Sequence, residues 1–174
     1  MKRLLLFIPF LFFVANGFAQ HKYATTSAPQ YIVAVNNLSL EAAFELQKQA
    51  SELAVKLDKH ISIAILDASG TPLLMSRGAG VGPHNTEAAR RKAFTALSTK
   101  TATLELMRNA AKSTDTQNLN SLPELLLLSG GTPIYYQKEI IGSIGISGGG
   151  SAENDDTIAQ SVGIAEAGIS TKKL

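Results

Sequence analysis

The sequence predicts an α+β domain in which helices flank a mainly antiparallel sheet. Three patterns support this fold class. Residues 39–59 repeat apolar side chains at the spacing of an amphipathic helix, two pairs of short apolar runs are each joined by turn residues as in β-hairpins, and helical stretches follow each pair. The order helix, hairpin, helices, hairpin, helix is typical of α+β folds.

Residues 1–19 predict a signal peptide rather than a structural element. Lys2 and Arg3 precede an apolar run that ends in small residues at Ala19, which is suited to cleavage before Gln20. The run is too short for a stable membrane anchor, which needs about 20 apolar residues. We therefore expect an exported protein, periplasmic or secreted, whose mature chain begins at Gln20.

Composition argues against several functional classes. The chain has 16 Lys and Arg against 14 Asp and Glu, and loss of Lys2 and Arg3 with the leader leaves equal numbers of each. A neutral chain with scattered basic residues and few aromatic ones lacks the electrostatic footprint of a nucleic-acid-binding protein. The sequence contains no cysteine, which excludes disulfides and thiolate zinc sites.

Residues 20–37 are expected to form a flexible arm before a domain that covers residues 38–174. Within the arm, residues 31–35 are apolar and predict either a short edge strand or a dimer contact. In the domain, Ser39 is suited to cap the helix at 39–59, and His60 ends that helix in a structural role that favours the helix dipole.

The first hairpin is predicted from residues 61–67 and 72–76. Between the two runs, Asp67 stands at the first position of a type I turn and Gly70 at the fourth. Asp67 is therefore interpreted as a turn residue rather than a catalytic acid.

The segment 78–99 concentrates the residues with the most distinctive chemistry. A glycine loop leads through Pro83 and His84 into a basic helix, and Asn85 is predicted to cap that helix. His84 would then stand at the helix mouth as a potential metal ligand. The alternative is a surface histidine beside a solvated basic helix face.

Three cations follow His84 in the same helix. Arg90, Arg91 and Lys92 come one and a half to two turns later, near enough to face a carboxylate-bearing ligand at the helix mouth. Lys92 flanks the apolar stripe of the helix, so its ammonium extends either to solvent, which is the commoner arrangement, or into a pocket.

The second half of the chain closes the sheet. Glycines within its last strand indicate a bulge or a close approach by another backbone or a ligand. The predicted segments are a helix at 101–112, a polar loop at 113–121, strands within 122–147 with a turn at Lys138 and Glu139, a glycine turn at 148–150, and a final helix at 151–167 that begins with acidic residues.

Several motifs resemble catalytic or binding signatures without their partners. Ser147 lies in a G-x-S-x-G pattern. A hydrolase of that class requires a histidine after the serine, and no histidine follows Ser147. Neither glycine cluster matches a nucleotide-binding pattern, and no paired-histidine spacing predicts a metal site within one subunit. Haem remains a candidate ligand, because its iron needs only an axial side chain from the protein. The absence of C-x-x-C-H predicts that any haem is bound non-covalently.

Four runs carry a family resemblance that covers residues 38–169. LSLEAA, SIAILDASGTPLLMSR, VGPHNTEAARRKAFTAL and LPELLLLSGGTPIYYQKEIIGSIGISGG together resemble the GlcG/HbpS-like family of haem-binding proteins. The resemblance implies a profilin-like α/β sandwich with a mainly antiparallel sheet of about five strands, often assembled into homo-oligomers. Because members of the family do not share one axial ligand, Tyr135, Tyr136 or Thr101 are alternatives to His84.

The leading hypothesis is an exported, non-catalytic protein that captures, buffers or senses haem. In it, His84 is the axial iron ligand and Arg90, Arg91 or Lys92 faces the propionates. A second hypothesis is an enzyme or sensor that binds a small organic acid through Lys92 and the backbone N–H groups of residues 148–150, including Gly148 and Gly149. The third is an oligomeric scaffold for another exported protein.

Overall fold

A computed structural model describes residues 31–173 of the chain. The predicted signal peptide and most of the predicted arm lie outside the described residues. Among the described residues, those from Val35 onward form one compact unit. Residues 31–39 contain no helix or strand, so the edge strand predicted at 31–35 is wrong.

The domain is built on one six-stranded sheet, one strand more than the sequence indicated. All neighbouring strands are antiparallel, in the order β2-β1-β4-β3-β6-β5. The strands are β1 (Ser62–Asp67), β2 (Pro72–Arg77), β3 (Gly131–Tyr136), β4 (Glu139–Ser147), β5 (Gly163–Ile164) and β6 (Ile169–Ser170).

Five α-helices accompany the sheet within residues 31–173. Short 3₁₀ turns at Asn118–Ser121 and Ala165–Ala167 complete the secondary structure of this range. The helices are α1 (Leu40–Lys56), α2 (His84–Thr99), α3 (Thr103–Ala110), α4 (Thr114–Gln117) and α5 (Ala152–Gln160).

The helix at the start of the domain and the first hairpin form as predicted, with an earlier helix end. The Ser39 hydroxyl accepts from the Ala42 N–H at 3.2 Å and so caps α1. Asp67 Oδ1 accepts from the backbone N–H groups of Ser69 and Thr71, both at 2.9 Å, which confirms its turn role. However, α1 ends at Lys56, before the predicted end at residue 59.

Three predictions in the second half are corrected. The segment 113–121, predicted as a loop, holds α4 and a 3₁₀ turn. The turn before β4 is at Gln137 and Lys138, both with positive φ, and β4 begins at Glu139. The final helix stops at Gln160, and the chain after it folds back as β5 and β6. Strand β6 pairs with β3, and β5 pairs with β6 at the edge of the sheet.

Helix α2 lies directly on the sheet because glycines face it. A Cβ added at Gly145 of β4 would overlap the Ala89 carbonyl oxygen, and one at Gly131 of β3 would overlap that of Lys92. The strand glycines therefore mark the close approach of another backbone, one of the two outcomes predicted for them. This contact brings the Lys92 side chain against the end of β4.

Candidate functional site

His84 is the first residue of α2, and its side chain is exposed. An added Cβ at Gly82 would come within 2.9 Å of His84 Cε1, so the imidazole lies against the glycine loop. Pro83 occupies the N-cap position, and the prediction that Asn85 caps the helix is wrong because Asn85 already lies inside the first turn. The Asn85 amide instead donates to the Gly82 carbonyl at 3.3 Å and accepts from the Ser147 hydroxyl at 2.8 Å. Asn85 thus ties the His84 loop to β4.

Arg90 is held by two carboxylates. Its guanidinium donates to Glu87 at 2.7 Å and to Glu124 at 2.8 Å. The hydrogen bonds to Glu87 and then Glu124 raise the pKa of Arg90 above its usual range. Arg90 is therefore a surface cation that already has counter-charges.

Arg91 is half-buried and less completely satisfied. Its Nη2 donates to the Leu125 carbonyl oxygen at 2.6 Å. Its Nε is buried and has no hydrogen-bond partner within residues 31–173. Unlike Arg90, Arg91 has no carboxylate partner in this part of the chain.

Lys92 is 3% exposed and points inward, contrary to the commoner arrangement for a lysine that flanks an apolar stripe. Its ammonium donates to Asp155 Oδ2 at 2.8 Å and to the Ile146 carbonyl at 2.9 Å, and lies 3.4 Å from Ser147 Oγ. The Ser147 hydroxyl donates to Asn85, so it lies between the lysine and the His84 loop. Because the ammonium is paired with a carboxylate, it serves as a donor rather than as a base for Ser147.

The anion site predicted at the second glycine cluster is filled by the chain itself. Asp155 Oδ1 accepts from the Gly149 N–H at 2.8 Å while Oδ2 binds Lys92. Gly148 turns the chain after β4 with a φ of +104°. The role of Asp155 could not be predicted from the sequence, because an acidic residue in the first turn of a helix is expected for the helix dipole alone. Asp155 therefore bridges the Lys92 ammonium and the Gly149 N–H, and binding of an external anion by these groups stays a prediction.

The alternative axial ligands separate into two environments. Thr101 and Tyr135 line a cleft of about 510 Å³, together with Lys100, Lys172 and Lys173. Burial, and then repulsion from a nearby glutamate, raises the pKa of Tyr135.

Tyr136 does not share the surroundings of Tyr135. Its hydroxyl accepts from Gln137 Nε2 at 3.1 Å, and its ring lies near Gly168. Of the two adjacent tyrosines, Tyr135 alone lines the lysine-bearing cleft.

His60 lies in a third environment. It follows the end of α1 and lines a cleft of about 210 Å³ with Lys59 and Arg77. The sequence offered one sign of this arrangement, since Lys59 precedes His60, but Arg77 comes from a different strand.

Two features are absent from residues 31–173. No helix there has both the length and the apolar character to cross a membrane. The same residues bring together no group of three or more His, Cys, Asp or Glu side chains suited to a metal ion.

Comparison with a protein family confirms the resemblance in the sequence. The family model described as haem-degrading protein HbpS-like matches residues 38–163. The corrinoid adenosyltransferase PduO of Salmonella typhimurium is 34% identical over 125 residues, which are 71% of this chain. The chain spans 37% of the length of that relative.

Solved structures share the fold over most of the domain. A double mutant of HbpS from Streptomyces reticuli is 34% identical, with a TM-score of 0.71 that covers 77% of this chain and 90% of that one. A complex of PduOC with haem is 31% identical, with a TM-score of 0.69 that covers 78% of this chain and 98% of that one. These likenesses confirm the predicted sandwich with its mainly antiparallel sheet.

Proposed function

Because this chain belongs to the HbpS-like family, we propose that it binds haem non-covalently and serves to capture, buffer or sense it outside the cytoplasm. The observation that carries the proposal is the likeness to the PduOC–haem complex, which extends over 98% of that chain at 31% identity. Export rests on the predicted leader at residues 1–19.

His84 is the proposed axial ligand. An imidazole is a common ligand of haem iron, and the His84 side chain is exposed and makes no hydrogen bond or ion pair within residues 31–173. The glycine loop before His84 is open to solvent at Gly80, where an added Cβ would meet no atom within 4 Å.

Arg91 is the best placed of the three predicted cations to pair with a propionate. It follows His84 by seven residues, which places it on the same helix face about 10 Å along the axis. Arg90 is neutralised by two glutamates and Lys92 by Asp155, so neither is available without breaking an existing pair. Haem, once bound, would supply iron as the redox-active and ligand-binding centre.

A haem titration of the mature protein from Gln20 tests the proposal. We expect a saturable Soret band that survives removal of free haem on a column, with about one haem per chain or per subunit pair. Absence of retained haem would overturn the proposal. A band that persists during incubation with a reductant indicates capture or buffering, whereas bleaching would indicate degradation.

Variants identify the ligand. If His84 binds iron, His84→Ala shifts the Soret band and weakens haem binding at least tenfold, while His21→Ala, the matched imidazole control, changes neither. An unchanged band and affinity in His84→Ala would remove His84 from the site. In that case Tyr135→Phe tests the lysine-lined cleft, where the loss of a phenolate ligand would abolish the corresponding charge-transfer absorption.

A further inference from the structure

The cleft at the end of α1 combines side chains from two separate elements. Ser51 comes from α1, Lys59 and His60 from the loop after it, and Arg77 from the end of β2. The cavity is about 210 Å³, several times the roughly 30 Å³ that one water molecule occupies in the liquid. It therefore has room for a small organic ligand.

The basic groups of this cleft lack counter-charges in the described chain. Within residues 31–173, the side chains of Lys59, His60 and Arg77 make no ion pair and no hydrogen bond, and no Asp or Glu lines the cavity. A concave surface that gathers one sign of charge concentrates the field and attracts ions of the opposite sign.

The Lys59 side chain lines the cleft and lies near Gly150. Lys59 is half-buried, and an added Cβ at Gly150 would lie 3.4 Å from Lys59 Cε. The glycine turn after β4 thus lies beside the lysine stem.

The carboxyl end of a helix is normally unfavourable for an anion, but three of the last four carbonyls of α1, those of Leu53, Ala54 and Val55, already accept backbone hydrogen bonds. The Ala54 carbonyl oxygen accepts from the N–H groups of Leu57 at 3.0 Å and Lys59 at 2.9 Å. In addition, Gln47 Nε2 donates to Ser51 Oγ at 3.0 Å, so the Ser51 hydroxyl proton remains available to a ligand.

We propose that this cleft binds a carboxylate, with Arg77 and Lys59 as its charge partners and His60 and Ser51 as hydrogen-bond donors. A guanidinium matches the two oxygens of a carboxylate, and an ammonium adds a point charge. The carboxylate comes either from a free small organic acid or from a propionate of haem.

Calorimetric titration of the haem-free full chain with malonate tests the site directly. We expect saturable binding that falls at least tenfold in the Lys59→Gln/Arg77→Gln double variant and stays within twofold in the control Lys48→Gln, an exposed lysine on α1. The inference would be overturned if the double variant bound malonate as tightly as the native protein. It would also be overturned if the native protein bound no malonate and the double variant had unchanged haem affinity.

Haem and its dimethyl ester distinguish the two sources of the carboxylate. If the site takes a propionate, the double variant binds haem at least tenfold more weakly but binds the ester as the native protein does, and malonate competes with haem. If the site takes a free acid, malonate binds while haem affinity is the same in both proteins. Because the malonate titration contains no haem, saturable malonate binding that is lost in the double variant would establish this site even if the protein retained no haem.

Discussion

Two groups of cations in this molecule have opposite surroundings. Lys92 of α2 is buried against the end of β4, and the carboxylate of Asp155 bridges its ammonium and the Gly149 N–H. Lys59 and Arg77 line an open cleft in which no carboxylate of the described residues takes part. At Lys92, the carboxylate of Asp155 occupies the anion-binding position. At Lys59 and Arg77, no carboxylate of the described residues pairs with the cations.

The difference shows that a basic residue in a sequence does not by itself indicate a ligand site, because a carboxylate of the same chain can already be its partner. Removing one member of a buried pair leaves an uncompensated charge, so the Lys92 pair should be required for stability. Removing a cation that makes no ion pair costs the fold little, so Lys59 and Arg77 should affect binding instead.

The largest effect is expected from Asp155→Ala. This change leaves the Lys92 ammonium buried without a carboxylate and the Gly149 N–H without an acceptor. We expect the free energy of unfolding, measured by urea denaturation, to fall by about 3–5 kcal/mol. The control Glu153→Ala removes an exposed acid of the same helix turn and should change stability by about 0.5 kcal/mol or less.

A rescue experiment sharpens this prediction. If Asp155 occupies an anion site, its removal should open that site to a small carboxylate, so excess formate should stabilise Asp155→Ala more than the native protein. Native stability in the variant would show that the ion pair contributes little. In that case the contrast between the two groups of cations would not hold.

The fold was largely predictable because its signals are local. The Ser39 cap, the apolar spacing of α1 and the turn residues around Asp67 each determine structure within a few positions. The last part of the chain was mispredicted because the alanine and glutamate residues after Gln160 favour a helix, while the structure pairs Tyr135 with Ser170 in the sheet. Long-range pairing overrode local propensity there.

The candidate site was less predictable because its contacts are remote in sequence. Lys92 and Asp155 are 63 positions apart, and nothing near either residue indicates the other. His84 was selected by scarcity and by its place at a helix start, both visible in the sequence, and its ligand role stays a prediction. Arg77 joins His60 only through the packing of β2 beside the end of α1.

A smaller effect is expected at the neighbouring acid, Asp156, which lacks the pairing of Asp155. Asp156 Oδ2 accepts from Gln160 Nε2 at 2.7 Å, but its buried Oδ1 has no partner within residues 31–173. Burial raises the pKa of Asp156, although the Gln160 hydrogen bond and Arg108 oppose the shift.

The sign of this shift predicts how pH affects Asp156→Asn. Burial raises the pKa of Asp156 in the folded state above its value of about 3.9 in the unfolded state. The contribution of Asp156 to the free energy of unfolding is therefore fully present below the unfolded-state pKa and is lost as pH rises through the folded-state pKa. Asp156→Asn should therefore be more stable than the native protein at pH 7, by about 1 kcal/mol, and lose that advantage towards pH 4. Urea denaturation at both pH values, with the exposed Asp115→Asn as control, measures this. A gain that does not change with pH would contradict it.

The smallest effect on stability is expected in the open cleft. Lys59→Gln and Arg77→Gln each remove a cation that makes no ion pair within residues 31–173, so the free energy of unfolding should change by about 0.5 kcal/mol or less. If the two cations repel each other, the double variant should be slightly more stable at low salt, and the gain should shrink as salt is added. Denaturation at two salt concentrations measures both effects. A loss comparable to that of Asp155→Ala would mean that these cations hold the fold together, and the distinction between a filled and an open anion site would then be wrong.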